Sequence, residues 1–299
     1  MRDQADKLRQ LVRDTVKEHP ALEPGVPLIV VSSGVEGQGS STVAVQLARE
    51  LARLGKRIVL VDANLQQPGL TARLGCEPEV SLAEVLNGNR SAVEVIRSLG
   101  ESIQFLPGRW TAEAPPEIGR EAIKRLLAEL RSLGSHAELV ILDAGHGMSP
   151  WVQQLWRAAQ QVLLVTTLES EPMKQSYAAV KQAPWGDVDS KVRLVINKSE
   201  DSSLAQQAGE RFAATCRRFL GVSICQPVAA ISKAPAGDHF QERANSQAKD
   251  TAFSQSVCLL AAEVLSSCLV LSSYRKRQLE NSADNLFDFR NMTQSVARR

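Results

Sequence analysis

From residue 27 onward the chain alternates two apolar patterns. Short runs rich in β-branched and aliphatic residues fall at 28–31, 57–61, 103–106, 139–142, 162–165 and 192–196. Runs of this kind, with no polar alternation, predict strands covered on both faces. Between them, apolar residues recur at helical spacing over 41–54, 81–98, 116–133, 150–159, 172–182 and 203–219, and a last helix is expected over 252–271. Strand and helix in regular alternation predict a single doubly wound α/β domain, a mostly parallel sheet with helices on both faces. Residues 227–250 are polar and show little periodicity, so no element is expected there. In sheets of this type ligands sit beyond the carboxyl ends of the strands.

Two segments lie outside this rhythm. Ala5, Leu8, Leu11, Val12 and Val16 fall at helical spacing, and Pro20, Pro24, Gly25 and Pro27 then stop any helix. The expected organisation is an N-terminal helix over 1–19, a linker over 20–26, the α/β domain over 27–272 and a tail over 273–299. In the tail Leu286, Phe289, Met292 and Val296 form a short apolar stripe beside Arg290, Arg298 and Arg299. Such a stripe suits weak contact with an anionic lipid surface, although Asp284 and Asp288 interrupt it.

Composition narrows the classes. The chain has 299 residues, 43% hydrophobic and 23% charged, which excludes disorder throughout, a fibrous repeat and a small disulfide scaffold. With 35 basic and 33 acidic residues the net charge is +2, which does not exclude nucleic acid but gives no global basic field to argue for it, and none is expected as a partner. The five cysteines make no metal-binding spacing and read as reduced structural thiols. The first residues, MRDQADKLRQ, are too charged for a secretion signal, and the apolar stretch 257–271 is too short and broken to span a membrane. A cytoplasmic location is expected.

The strongest chemical signal is the run LIVVSSGVEGQGSSTV. A buried strand leads into Gly34, Gly37 and Gly39, and Ser40, Ser41 and Thr42 open a helix. Glycines let backbone N–H groups converge on a phosphate, and the helix adds its positive end. Ser41 stands where a hydroxyl would ligate Mg²⁺. The next strand ends at Asp62 and a later one at Asp143, two carboxylates suited to a metal or its bound water.

Over about residues 27–271 these features resemble the MinD/ParA-type P-loop NTPases, whose loop reads GKGGxGK[ST]T. Residues 34–42 read GVEGQGSST. The frame is kept and both lysines are missing. Val35 replaces the lysine that in this family reaches the partner subunit's nucleotide, and Ser40 the one that bridges the β- and γ-phosphates. The family's DxD becomes Asp62-Ala63-Asn64, so Asn64 takes the place of a carboxylate that positions the attacking water. The family's strand-end asparagine, which contacts adenine, matches Asn197.

The resemblance implies ATP or ADP with Mg²⁺. Gly34, Gly37, Gly39, Ser40, Ser41, Thr42 and Asn197 would bind the nucleotide. Ser41, Asp62 and Asp143 would hold the metal, with Asp62 and Asp143 as the catalytic carboxylates. A charge-assisted hydrogen bond is worth about 1.5–3 kcal/mol, so loss of both lysines weakens nucleotide affinity by at least about one or two orders of magnitude. Two readings stay open at this point. One is a loop that is only a tight turn or binds nucleotide weakly without turnover; the other is an active ATP-dependent switch that dimerises on ATP.

Two further stretches narrow the resemblance. Asp3-Gln4-Ala5, followed by Leu8-Arg9, is similar to the DQAxxLR segment of FlhG (YlxH) proteins, MinD-like regulators of flagellar number and placement. That segment stimulates the FlhF-type GTPase. Residues 142–149, LDAGHGMS, are similar to the group's IDTGAGIS. The resemblance implies an FlhF-type GTPase and other flagellar proteins as partners, and a tail that touches the inner face of the membrane. It leaves a homodimer open. Residues 62–70, DANLQQPGL, also resemble a segment of polysaccharide-export tyrosine kinases, as does Ala114-Pro115-Pro116-Glu117. Those kinases carry a tyrosine cluster, whereas this chain has only Tyr177 and Tyr274.

Overall fold

The computed structural model describes residues 25–65, 69–76, 79–100, 102–108, 118–183, 191–233 and 252–268. The expected N-terminal helix with Asp3, Gln4, Ala5, Leu8 and Arg9, and the expected tail stripe, lie outside the described residues.

Eight strands form one sheet: β1 (Leu28–Ser33), β2 (Ile58–Asp62), β3 (Arg97–Ser98), β4 (Ile103–Leu106), β5 (Leu139–His146), β6 (Gln161–Thr166), β7 (Val192–Ser199) and β8 (Cys225–Ser232). Their order is β3-β4-β2-β5-β1-β6-β7-β8, and every neighbouring pair is parallel except β3 with β4. Every residue of β1, β2 and β6 is buried, which is why their sequences run apolar without alternation. Leu28, Val30, Val59, Val61, Val140 and Leu142 contribute to one continuous core. Alternate residues such as Ile29, Ile58, Leu60 and Ile141 are buried too, and strand geometry turns them to the opposite face.

The helices around the sheet are α1 (Ser40–Arg53), α2 (Gly69–Arg73), α3 (Leu82–Asn87), α4 (Ala92–Val95), α5 (Arg120–Arg131), α6 (Pro150–Ala158), α7 (Ser170–Gln182) and α8 (Ser202–Leu220). A last helix, α9, runs over 252–268. The sheet and its helices make one compact unit, residues 25–263. Of the second unit, 1–24 with 264–299, only 264–268 are described, as part of α9.

Three expectations are corrected. The helix expected over 81–98 is two helices and a strand. Gly88, at φ 75, ends α3, and Ser91 with Glu94 forms a capping box that starts α4. Both bury residues in the same core, so the apolar period runs on across the break. Strand β8 falls where no element is expected. It is an edge strand with an exposed start, where Pro227 is tolerated and alternation is weak. The strand expected to end at Asp143 runs on to His146, so Asp143 lies inside β5, because the residues after it stay paired with β1; helix α2, five residues long, is too short for a period to show. At the β7–β8 side, Arg193 forms a 2.8 Å ion pair with Glu263 of α9. The tryptophans of α6 are buried, with Trp151 Nε1 donating to Ala63 O and Trp156 Nε1 to Ser32 Oγ.

Candidate functional site

The glycine loop joins β1 to α1 at the carboxyl edge of the sheet, where the topology places ligands. Gly37 (φ 82) and Gly39 (φ 86) are left-handed, and Gln38 between them is not. Alternation of this kind is the backbone pattern of an anion nest, in which successive N–H groups converge, and here it stands at the start of a 14-residue helix. The loop is held from the end of β7. Asn197 Nδ2 donates to Gln38 O at 2.8 Å, and Lys198 Nζ donates to Gly37 O at 2.8 Å. Lys198 is itself left-handed at φ 57, rare for a residue with a Cβ. A Cβ on Gly39 would lie 2.5 Å from the Asn197 amide, and one on Gly34 2.5 Å from the backbone of Gln175 and Ser176 in α7. Gly34 is therefore required for the approach of α7.

The carboxylates lie side by side. Asp62 and Asp143 are register partners on β2 and β5 and are almost fully buried. Burial, chiefly, pushes the Asp62 carboxyl up to about 7; the bonds from Thr71 oppose this and the charge of Asp143 adds to it. Burial likewise raises Asp143, against the hydrogen bonds it accepts from the Ser41 hydroxyl and Gly145 N–H and the positive charge of Arg73. Asp62 Oδ1 and Asp143 Oδ2 are buried and have no hydrogen-bond partner. Two orphaned carboxylate oxygens next to a serine hydroxyl fit a hard divalent cation whose other ligands are water or phosphate. Among the described residues no cluster of three His, Cys, Asp or Glu could hold a metal unaided. Asn64 is buried and sits against Gly145, where a Cβ would come within 2.5 Å of its side chain. An amide cannot serve as a base.

The structure thus brings Gly34, Gly37, Gly39, Ser40, Ser41, Thr42, Asp62, Asp143 and Asn197 to one edge of the sheet. It also supplies residues that the sequence patterns did not single out. Thr71 donates through N (2.8 Å) and Oγ1 (2.7 Å) to Asp62 Oδ2, and Gly108 N donates to Thr71 Oγ1 at 3.0 Å. Arg73 Nη1 donates to Thr42 Oγ1 at 2.8 Å. Their one sequence signal is position, a few residues beyond Asp62, and only the helical turn of α2 aims them back. Lys198 is signalled by its place beside Asn197.

A family model for the CobQ/CobB/MinD/ParA nucleotide binding domain matches residues 29–239. The chain is similar to the antiactivator FleN of Pseudomonas aeruginosa, 25% identical over 70% of this chain and 74% of that protein. It is also similar to the flagellum site-determining protein YlxH of Helicobacter pylori, 26% identical over 51% of this chain and 52% of YlxH, about half that protein's length. Among solved structures, the septum site-determining protein MinD of Pyrococcus horikoshii, complexed with Mg-ADP, superposes with a TM-score of 0.56 at 19% identity, covering 80% of this chain and 96% of that one. That likeness establishes the fold. Among the described residues no helix is long and apolar enough to cross a membrane.

Proposed function

The chain belongs to the CobQ/CobB/MinD/ParA nucleotide-binding family, and we propose that it is a MinD/FlhG-like regulator that acts through protein contacts, with weak or no ATP hydrolysis of its own. The observation that carries this reading is a loop that keeps its glycine nest, metal-facing hydroxyl and carboxylates, while Val35, Ser40 and Asn64 stand where the resemblance places charged groups. Phosphoryl transfer is driven by cations placed where negative charge develops, and this loop lacks its own. In the proposed site the nest N–H groups bind phosphate and Ser41, Asp62 and Asp143 hold Mg²⁺. Asn197 and Lys198 keep the loop in shape. Bound Mg²⁺ would offset phosphate charge.

The output passes through residues 1–19, which present Asp3, Gln4, Ala5, Leu8 and Arg9 to an FlhF-type GTPase. The similarity to FleN and YlxH supports the flagellar setting. The tail over 273–299 adds weak contact with the inner face of the membrane of a cytoplasmic protein. The test is GTP hydrolysis by an FlhF-type GTPase mixed with the full chain. Stimulation is expected, and Gln4→Ala or Leu8→Ala should lose most of it, since a docked leucine contributes about 1.5–3 kcal/mol. Asp6→Ala and Lys7→Ala should keep it. A GTPase indifferent to the intact chain refutes the proposal.

A further inference from the structure

Arg73 is the last residue of α2, and its guanidinium lies over the first turn of α1, bonded to the neutral hydroxyl of Thr42. That is the positive end of a helix, where a cation is disfavoured unless an anion lies between. Asp143 supplies part of the attraction. A guanidinium has five N–H donors, so its one hydrogen bond among the described residues, to Thr42, leaves there a fork able to grip phosphate in two places.

Helix α2 is firmly seated. Leu70 is fully buried and Leu74 nearly so. Thr71 clamps the helix to Asp62 and Gly108. At its other end, a Cβ on Gly69 would lie 3.4 Å from Ser41 Oγ. The five-residue helix therefore spans the mouth of the loop, from the metal-facing serine to the adjoining threonine. Asp62 and Asp143, register partners on β2 and β5, each keep one buried oxygen without a hydrogen-bond partner, and with Ser41 bonded to Asp143 these independently call for a cation, such as the Mg²⁺ that accompanies a nucleotide.

We infer that Arg73 supplies, from α2, the positive charge that Val35 and Ser40 no longer give the loop, so that the loop holds the phosphates of a nucleoside di- or triphosphate. The inference rests on the nucleotide-binding part of the proposed function and is independent of the partner GTPase. A cation outside the loop stabilises bound phosphate.

The experiment is calorimetric titration of the full chain with MgADP. Wild type should bind, and Arg73→Gln should weaken binding about 10- to 100-fold, the span of one charge-assisted hydrogen bond. Arg73→Lys should recover part of the loss. With Ser40→Lys in the background, Arg73→Gln should cost much less, because the two cations serve the same phosphates. Thermal melting without nucleotide checks that the Arg73 variants are folded. Three results overturn the inference: no binding of MgADP by wild type, equal binding by wild type and Arg73→Gln, or an Arg73→Gln loss that is the same with and without Ser40→Lys. If wild type fails to bind yet still stimulates the GTPase, this inference falls and the regulator reading stands.

Discussion

Asp62 is 1% exposed, and its carboxyl is raised from 3.8 to about 7, mainly by burial. The folded value lies above the unfolded one, so the fold prefers the protonated form. Its contribution is complete below pH 4 and is lost as pH rises toward and through 7. A shift of about three units corresponds to about 4 kcal/mol at most. Asp62→Asn removes this dependence and keeps an oxygen to accept from Thr71. Urea unfolding of the metal-free protein at pH 8 should show the variant more stable by about 1–4 kcal/mol, with a flatter slope between pH 4 and 8. An unaltered pH profile would assign the dependence to another group. The position of this carboxylate, at the end of an apolar run, is plain in the sequence. Its burial is not, because the residues that cover it, Thr71 and Gly108, come from other parts of the chain.

At the scale of elements, α8 lies so close to β8 that a Cβ on Gly209 would come within 2.6–2.8 Å of the Val228 side chain. Valine is stiff at its first torsion and cannot swing away. Gly209→Ala gains up to about 1 kcal/mol of helix propensity and meets an overpacking cost of about 1–3 kcal/mol, so net destabilisation of about 1 kcal/mol is expected. Chemical denaturation of Gly209→Ala with Val228→Ala should show the two changes to be less than additive; strict additivity would mean that the close approach costs nothing. The pair also shows which elements were legible. The long helices and the central strands announce themselves because one face, or both, is apolar throughout. Strand β8 does not, because an edge strand with a half-exposed pattern shares its composition with a loop. The break at Gly88 was hidden because both flanking helices feed one core.

For the whole molecule, the missing lysine at Val35 removes the group that, by the resemblance, crosses between subunits to the partner's nucleotide. Sedimentation velocity of the full chain should be unchanged by ATP and Mg²⁺. A monomer-to-dimer shift on adding ATP would refute this loss of ATP-driven pairing, whereas a dimer present with and without ATP would point to a different interface.

The sequence alone determined the α/β class, the parallel sheet, the glycine loop of Gly34, Gly37 and Gly39 after the first strand, and the place of Asp62 at the end of β2. Periodicity and strand-to-loop order are local properties, carried by neighbours within one element. It also fixed the absence of lysine at positions 35 and 40. Only the tertiary structure decided what surrounds the loop. Thr42 and Arg73 are 31 residues apart in the chain, and Gln38 and Asn197 are 159 apart. No pattern within one element reports such pairs. They meet because each element ends at the same edge of the sheet, and the order of the strands, set by packing a single core, brings those ends together.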